Sequence, residues 1–223
     1  MKDNKRIQYW LASYPRSGNT FARLLLKKIF AFDTPSDSKL EAPLDCPLTR
    51  DLNENQNNRV VFTKTHENRF DNRPAIILVR DGRDALISHV HYQRMFWGWS
   101  EPFSVLLDRA IDPDDSFCSN WSNFYESWFN VDQAGCQLIY FDQLIEQPLT
   151  TMGTCLEKLG VSIDKTIQPA IRIPSFARLH AQNPKFFRRG RKEYWRKEMS
   201  DEQHRVFWKH HGFMMNELGY RNK

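Results

Sequence analysis

The chain predicts an α/β fold, a single domain over 1–223 with a central parallel sheet flanked by helices. Two observations carry this reading. Strand-like apolar runs alternate with helix-period segments along the chain, which is the pattern of parallel strands joined by crossover helices. The first strand–helix junction holds a compact polar turn, Tyr14-Pro15-Arg16-Ser17-Gly18-Asn19-Thr20, of the kind found in P-loop-like nucleotide-binding folds. With 223 residues, 40% hydrophobic and 26% charged, the chain can bury one full α/β core. No internal repeat and no linker divides it.

The elements follow in order. Residues 7–13 read as a buried strand, and Phe21, Leu24, Leu25, Ile29 and Phe30 then recur at helical spacing. Residues 33–58 are polar, rich in Asn, Asp and Pro, and are expected to be irregular. Val60 to Lys64 is a second strand, and Ala75 to Val79 is the clearest strand of all. The latter runs through Arg80-Asp81-Gly82-Arg83-Asp84 into a helix carrying Ala85, Leu86, Ile87 and Val90. The aromatic-rich stretch 95–130 is expected to form two helices. Gln137 to Tyr140 is a short buried strand, and 150–159 a helix stopped by Gly160. Ser200 with Gln203 three residues on forms a capping-box signal, opening a helix through Phe207, Met214 and Leu218 that Gly219 closes.

The loop at 14–20 is suited to an anion. A strand–loop–helix junction points unpaired backbone N–H groups and a positive helix end at one spot. Gly18 permits close backbone approach, Ser17 and Thr20 supply hydroxyls, and Arg16 supplies a fixed charge. The nucleoside-triphosphate pattern G-x-x-x-x-G-K-[ST] would need Gly at Ser13 and Lys at Asn19, and has neither. The bland alternative is a capped turn with an incidental Arg16.

Composition narrows the partners. The net charge of +5 suits an anionic ligand. Much of it gathers in 185–197, at Lys185, Arg188, Arg189, Arg191, Lys192, Arg196 and Lys197. The four cysteines are scattered, without metal-like spacing, and no His pair has an acidic partner at i, i+4, so no metal is expected. No signal peptide and no apolar run of membrane-spanning length is present, which leads us to expect a soluble cytoplasmic protein without a membrane partner.

Ligands of such sheets gather at the C-terminal strand ends. Three of these carry chemistry: Arg16 after the first strand, Lys64-Thr65-His66 after the second, and Arg80 after the third. A neutral His66 beside an anion is a natural general base, with Lys64 and Arg16 stabilising charge on a leaving phosphate. Arg80 and Ser88 could reach a second anionic group. Two anion sites plus a base suggest a bis-phosphorylated donor and a hydroxyl or amine acceptor.

These residues carry a family resemblance. The chain resembles the PAPS-dependent sulfotransferases of the soluble cytosolic type. Tyr14 to Phe21 is similar to their Y-P-K-S-G-T-T-W loop, Lys64-Thr65-His66 to their K-T-H, and Val79-Arg80-Asp81 through Ser88 to their 3′-phosphate segment. Phe141-Asp142 with Pro148 resembles the segment near the adenine, Ser175-Phe176 a purine-packing S-F pair, and Phe187-Arg188-Arg189-Gly190 with Trp195 the closing R-K-G-x-x-G-D-W segment. The resemblance runs from 9 to about 195 in the family's order. It implies PAPS as sulfuryl donor, 3′,5′-ADP as product, no metal, and a small-molecule acceptor, possible classes being ring-bearing alcohols, phenols and secondary metabolites. It implies His66, Lys64 and Arg16 as catalytic residues. It implies donor binding by Arg16, Ser17, Gly18, Asn19, Thr20, Phe21, Arg80, Ser88, Phe141, Phe176, Arg188, Arg189 and Gly190.

The chain departs from the family at Arg16 for Lys, Phe21 for Trp, Phe141 for Tyr, and Glu193-Tyr194 for Gly-Asp. The family's dimer signature is not recognisable near Lys197–Glu202, and the oligomeric state is left open. Trp97, Trp99, Phe96, Phe103, Phe117 and Trp121 crowd the region that would line an acceptor pocket. Two other readings stand beside this one. A metal-independent P-loop kinase-like phosphotransferase would use the same loop, but lacks the Walker lysine. A basic single-stranded nucleic-acid-binding module would use 185–197 with Phe186, Phe187, Tyr194 and Trp195, and would leave His66 without a purpose.

Overall fold

The structure, a computed structural model, describes residues 7–30, 48–52, 58–115, 117–129, 135–161, 176–182, 184, 187 and 192–222. Its elements run β1 (Ile7–Ser13), α1 (Asn19–Ile29), β2 (Leu48–Leu52), β3 (Asn58–Thr65), β4 (Ala75–Val79), α2 (Gly82–Phe96), α3 (Phe103–Ile111) and α4 (Trp121–Phe129). There follow β5 (Cys136–Tyr140), α5 (Phe141–Glu146), α6 (Pro148–Lys158), α7 (Phe176–Gln182), α8 (Trp195–Glu198) and α9 (Asp201–Glu217).

Strand alternation builds the frame. In β1, Trp10 and Ala12 enter one apolar cluster while Tyr9 and Leu11 enter another. β4 divides the same way, with Ala75, Ile77 and Val79 against Ile76 and Leu78. Strands apolar on both sides must be covered on both sides. α1 and α6 cover the Leu11 face through Phe21, Leu25, Met152 and Leu156. α2, α3, α4 and α9 cover the Trp10 face through Leu86, Leu107, Phe124 and Phe207.

Among the described residues the sheet order is β2-β3-β1-β4-β5. β3, β1, β4 and β5 are mutually parallel, and β2 lies antiparallel on the outer edge of β3. The register pairs Ala12 with Thr65, Ser13 with Leu78, and Val79 with Tyr140. The residues that follow each strand, 14–18, 66, 80 and 141, therefore emerge along one edge. β1 and β4 are neighbours, yet α1 leaves toward one face and α2 toward the other. A crevice opens where the connections part, and that is where open α/β sheets bind ligands.

Two features differ from the sequence reading. Leu48–Leu52, inside the stretch expected to be irregular, is an edge strand. Its pairing comes from backbone hydrogen bonds to β3, which apolar periodicity does not register. Phe141, assigned to no helix by the sequence reading, opens α5 at once. The crossover from β3 to β4 is also unusual: residues 66–74 carry no helix. They are pinned instead by Trp10 Nε1 donating to Asp71 Oδ1 at 2.8 Å and by Arg73 stacked 3.8 Å over the Trp10 ring. Against partial burial, which raises it, hydrogen bonds from Arg73 and Trp10 hold the Asp71 carboxyl down at about 2.

Candidate active site

Backbone conformation shapes the loop first. Arg16 has φ 67° and Gly18 φ 99°, two left-handed residues within three positions, which fold the chain over the start of α1. Gly18 is the N-cap of α1, and no side chain caps that end. By contrast, Asp81 caps α2 and Ser200 caps α9. The α1 terminus thus keeps its N–H groups and positive dipole end for an outside acceptor.

Tertiary contacts fix the loop from below. Tyr14, fully buried, donates through its hydroxyl to Ser119 O at 2.8 Å. Asn19 Nδ2 donates to Leu11 O and Ser13 Oγ, both at 3.1 Å, so its side chain braces β1 and only its backbone faces the crevice end. Ser17 is also buried, with Tyr125 donating to its Oγ at 3.4 Å and to Leu78 O at 2.9 Å. Phe21 is 4% exposed and packs under α1 with Leu25 and Phe62, as part of the core beneath the loop. Thr20 is half-buried on the first turn of α1.

Three strand ends meet this loop. His66, just past β3, has its Nδ1 at 2.6 Å from Ser13 O. A carbonyl can only accept, so Nδ1 carries the hydrogen and Nε2 presents the ring's lone pair. Lys64 pairs with Leu11 across β1 and β3, one turn of pleat before His66. From β4, Arg80 donates Nη1 to Arg16 O at 2.8 Å and lies 4.6 Å over the Phe141 ring. Arg80 Nε is buried with no hydrogen-bond partner among the described residues. Burial pulls the Arg80 pKa below its ordinary value, partly offset by Asp84, Asp81 and Asp142. Arg16 Nε donates to Ser88 Oγ at 3.3 Å, and its guanidinium lies 4.9 Å over Tyr92. Arg16, Ser17, Gly18, Asn19, Thr20, Lys64, His66, Arg80, Ser88 and Phe141 therefore share one crevice edge.

The rest of the expected site divides. Arg188, Arg189 and Gly190 lie outside the described residues, and so does the side chain of Phe176, the first residue of α7. Where their segment returns, Trp195 is anchored firmly. Its backbone N–H donates to Asp84 Oδ1 at 2.8 Å, and its ring packs against the Arg83 guanidinium at 3.9 Å and a parallel His204 ring at 4.7 Å. Burial lifts the Asp84 carboxyl to about 6, opposed by Arg80. Glu193 pairs with Arg196 at 3.2 Å, and Lys192 with Glu146 at 2.6 Å. Of the aromatic group at 96–121, Trp121 and Phe117 are core, Trp99 and Phe103 pack against it, and Phe96 and Trp97 are exposed at 49% and 67%. Among the described residues no cluster of three His, Cys, Asp or Glu side chains could hold a metal ion.

Sequence reasoning missed Ser13, Asp84, Tyr92 and Tyr125. Only Tyr92 left a signal, four residues after Ser88 on the same helical face. The others act through contacts distant in sequence.

Residues 6–219 match the sulfotransferase domain family. The chain belongs to the sulfotransferases. No curated protein sequence matches it. Among solved structures, mouse sulfotransferase SULT7A1 complexed with PAP is similar at 17% identity and TM-score 0.65, covering 94% of this chain and 84% of that one. Retinol dehydratase in complex with androsterone and inactive cofactor PAP is similar at 13% identity and TM-score 0.65, covering 97% and 82%. The sulfotransferase domain of the Synechococcus PCC 7002 olefin synthase is similar at 16% identity and TM-score 0.53, covering 100% and 98%. At these identities the likeness is one of fold. This sulfotransferase shares the architecture, and its chemistry rests on its own residues. No described helix is long and apolar enough to cross a membrane.

Proposed function

We propose that this sulfotransferase moves a sulfuryl group from PAPS to a hydroxyl of a ring-bearing small molecule. One observation carries the reading. An uncapped helix N-terminus, the Arg80 guanidinium held on the Arg16 backbone carbonyl and an imidazole with its Nδ1 tied down all meet at adjacent strand ends. The buried Arg80 Nε, without a hydrogen-bond partner among the described residues, fits an anionic group of the donor. When bound, PAPS supplies the reactive bond: acceptor oxygen joins sulfur as the link from sulfur to the 5′-phosphate oxygen breaks.

The residues divide that work. The backbone at 17–20 and Arg16 hold the 5′-phosphate, and Arg16 also faces the oxygen that gains charge. Arg80 and Ser88 hold the 3′-phosphate, Phe141 packs on the purine, and the resemblance adds Phe176, Arg188, Arg189 and Gly190. His66 takes the acceptor's proton at Nε2 and keeps it there. Lys64 stabilises the transferring group. From Arg16 the ring of Tyr92 leads along α2 to the exposed Phe96, with the exposed Trp97 just past the helix end, favouring an apolar ring-bearing acceptor. Retinol and androsterone, each crystallised with retinol dehydratase and PAP, are acceptor-sized molecules of that class. The chain acts as one domain, in the cytoplasm.

Thermal unfolding tests the donor assignment. 3′,5′-ADP should raise the midpoint strongly, while ATP with Mg²⁺ and a single-stranded oligonucleotide should not. Stabilisation by ATP or the oligonucleotide alone would replace the reading with a phosphotransferase or a nucleic-acid module.

A further inference from the structure

Directly after Ser88, α2 turns a second polar pair inward. His89 and Gln93 are four residues apart, hence stacked on one helix face, and are 9% and 4% exposed. Gln93 Nε2 lies 3.0 Å from His89 Nε2. Beyond that single contact, His89 Nδ1 and Gln93 Oε1 have no hydrogen-bond partner among the described residues. The His89 ring lies 6.3 Å from the Tyr14 ring and 6.4 Å from the Phe117 ring. The pair thus sits between the base of the anion loop and the aromatic residues after α3. Burial, then the nearby charges of Arg16 and His66, pull the His89 pKa down to about 4, so its ring is neutral at physiological pH.

A neutral imidazole beside an amide has two arrangements. If Gln93 donates to Nε2, then Nδ1 carries an unspent hydrogen and the amide oxygen remains an unspent acceptor. If the amide is reversed and Nε2 donates, then Nδ1 is the spare acceptor and the amide nitrogen the spare donor. Either way, one donor and one acceptor stay unsatisfied. Leaving such groups buried without partners is costly. A hydroxyl, like a water molecule, both donates and accepts, so an acceptor hydroxyl that displaces water there can satisfy either arrangement.

We propose that His89 and Gln93 form a second polar contact of the acceptor pocket, binding a hydroxyl remote from the one that receives the sulfuryl group. The acceptor class becomes a diol on an apolar ring skeleton, with one hydroxyl at His66 Nε2 and the other at this pair. The inference rests on the sulfuryl-transfer reading and deepens it. A site built to hydrogen-bond a substrate hydroxyl discriminates strongly against the analogue without it, because its own polar groups are then left unpaired.

The test uses matched acceptors: 4-propylphenol against 4-(3-hydroxypropyl)phenol, and a monohydroxy steroid against its diol. Specificity constants are measured with radiolabelled PAPS for the wild type, Gln93→Met and His89→Phe, with 3′,5′-ADP titration of each protein. The wild type should favour the diol tenfold or more in at least one pair, chiefly through KM. Both variants should reduce that preference below threefold. Gln93→Met is close in volume and suffices should His89→Phe not fold. A wild type without preference, variants that keep it, equal losses on both members of a pair, or turnover of neither pair overturns the inference while 3′,5′-ADP binding stands. A wild type that fails to bind 3′,5′-ADP overturns the transfer reading itself.

Discussion

Replacing Gly18 with Ala tests how the anion loop is held. Two costs add. At φ +99° an L side chain is strained, by about 1–2 kcal/mol. The new Cβ would also lie 2.6 Å from Phe141 Cδ2, closer than real contacts allow, and 3.0 Å from Cε2. Phe141 is buried, so its ring must be pushed into packed surroundings, which adds about 1–3 kcal/mol. The sum is a loss of about 2–5 kcal/mol in urea unfolding. Gly160→Ala separates the two terms, because Gly160 has φ +72° and nothing within 4 Å of its Cβ position. That variant should lose about 1–2 kcal/mol from strain alone. Function should follow the ring: Arg80 lies 4.6 Å over Phe141, so displacing it should weaken 3′,5′-ADP binding at least tenfold. If Gly18→Ala costs no more than Gly160→Ala, or binds 3′,5′-ADP as the wild type does, the ring does not set the position of Arg80 and the reasoning fails.

Further outcomes are expected. His66→Ala should cut turnover by about 10²–10⁴-fold while 3′,5′-ADP affinity stays within about threefold, and a variant keeping a third of the rate places the base elsewhere. Arg80→Ala should weaken 3′,5′-ADP more than tenfold and 5′-AMP far less, and equal losses put Arg80 outside the 3′-phosphate site. Stability should respond to pH through groups of opposite sign. His211, buried between Ser122 Oγ at 2.8 Å and Ile111 O at 3.1 Å, has its pKa pulled down by burial to about 4. The unfolded chain therefore takes up that proton first, and stability falls as pH drops from about 6.5 to 4, by about 3 kcal/mol. Asp84, raised to about 6 by burial, works the other way, since its folded form holds the proton and is destabilised as pH rises from about 4 to 6. Urea midpoints at pH 4.5 and 7 should show a steeper acid loss in Asp84→Asn and a shallower one in His211→Gln than in the wild type. Reversed slopes would mean that other groups govern acid stability.

Much of this protein is legible in its sequence because local chemistry settles it. The unbroken apolar run Ala75–Val79 demands a strand covered on both faces. Ser200 and Gln203 complete both halves of their capping box, at 3.1 Å and 3.0 Å, since that motif needs only residues three apart. The run Tyr14 to Thr20 likewise signals a tight polar strand-to-helix turn through its own glycine and hydroxyls. Sequence also named Arg16, His66 and Arg80 as chemical groups. Their relation to one another was decided by the fold, because the order β3-β1-β4 brings together residues up to 64 positions apart. Only that packing ties His66 Nδ1 to Ser13 and selects the basic nitrogen. It also turns the side chains of Ser17 and Asn19 inward and puts the Phe21 side chain in the core. Burial depends on what the rest of the chain lays over a residue. The i, i+4 spacing sets His89 beside Gln93, but only the packing decides that, among the described residues, their pair keeps a donor and an acceptor unspent.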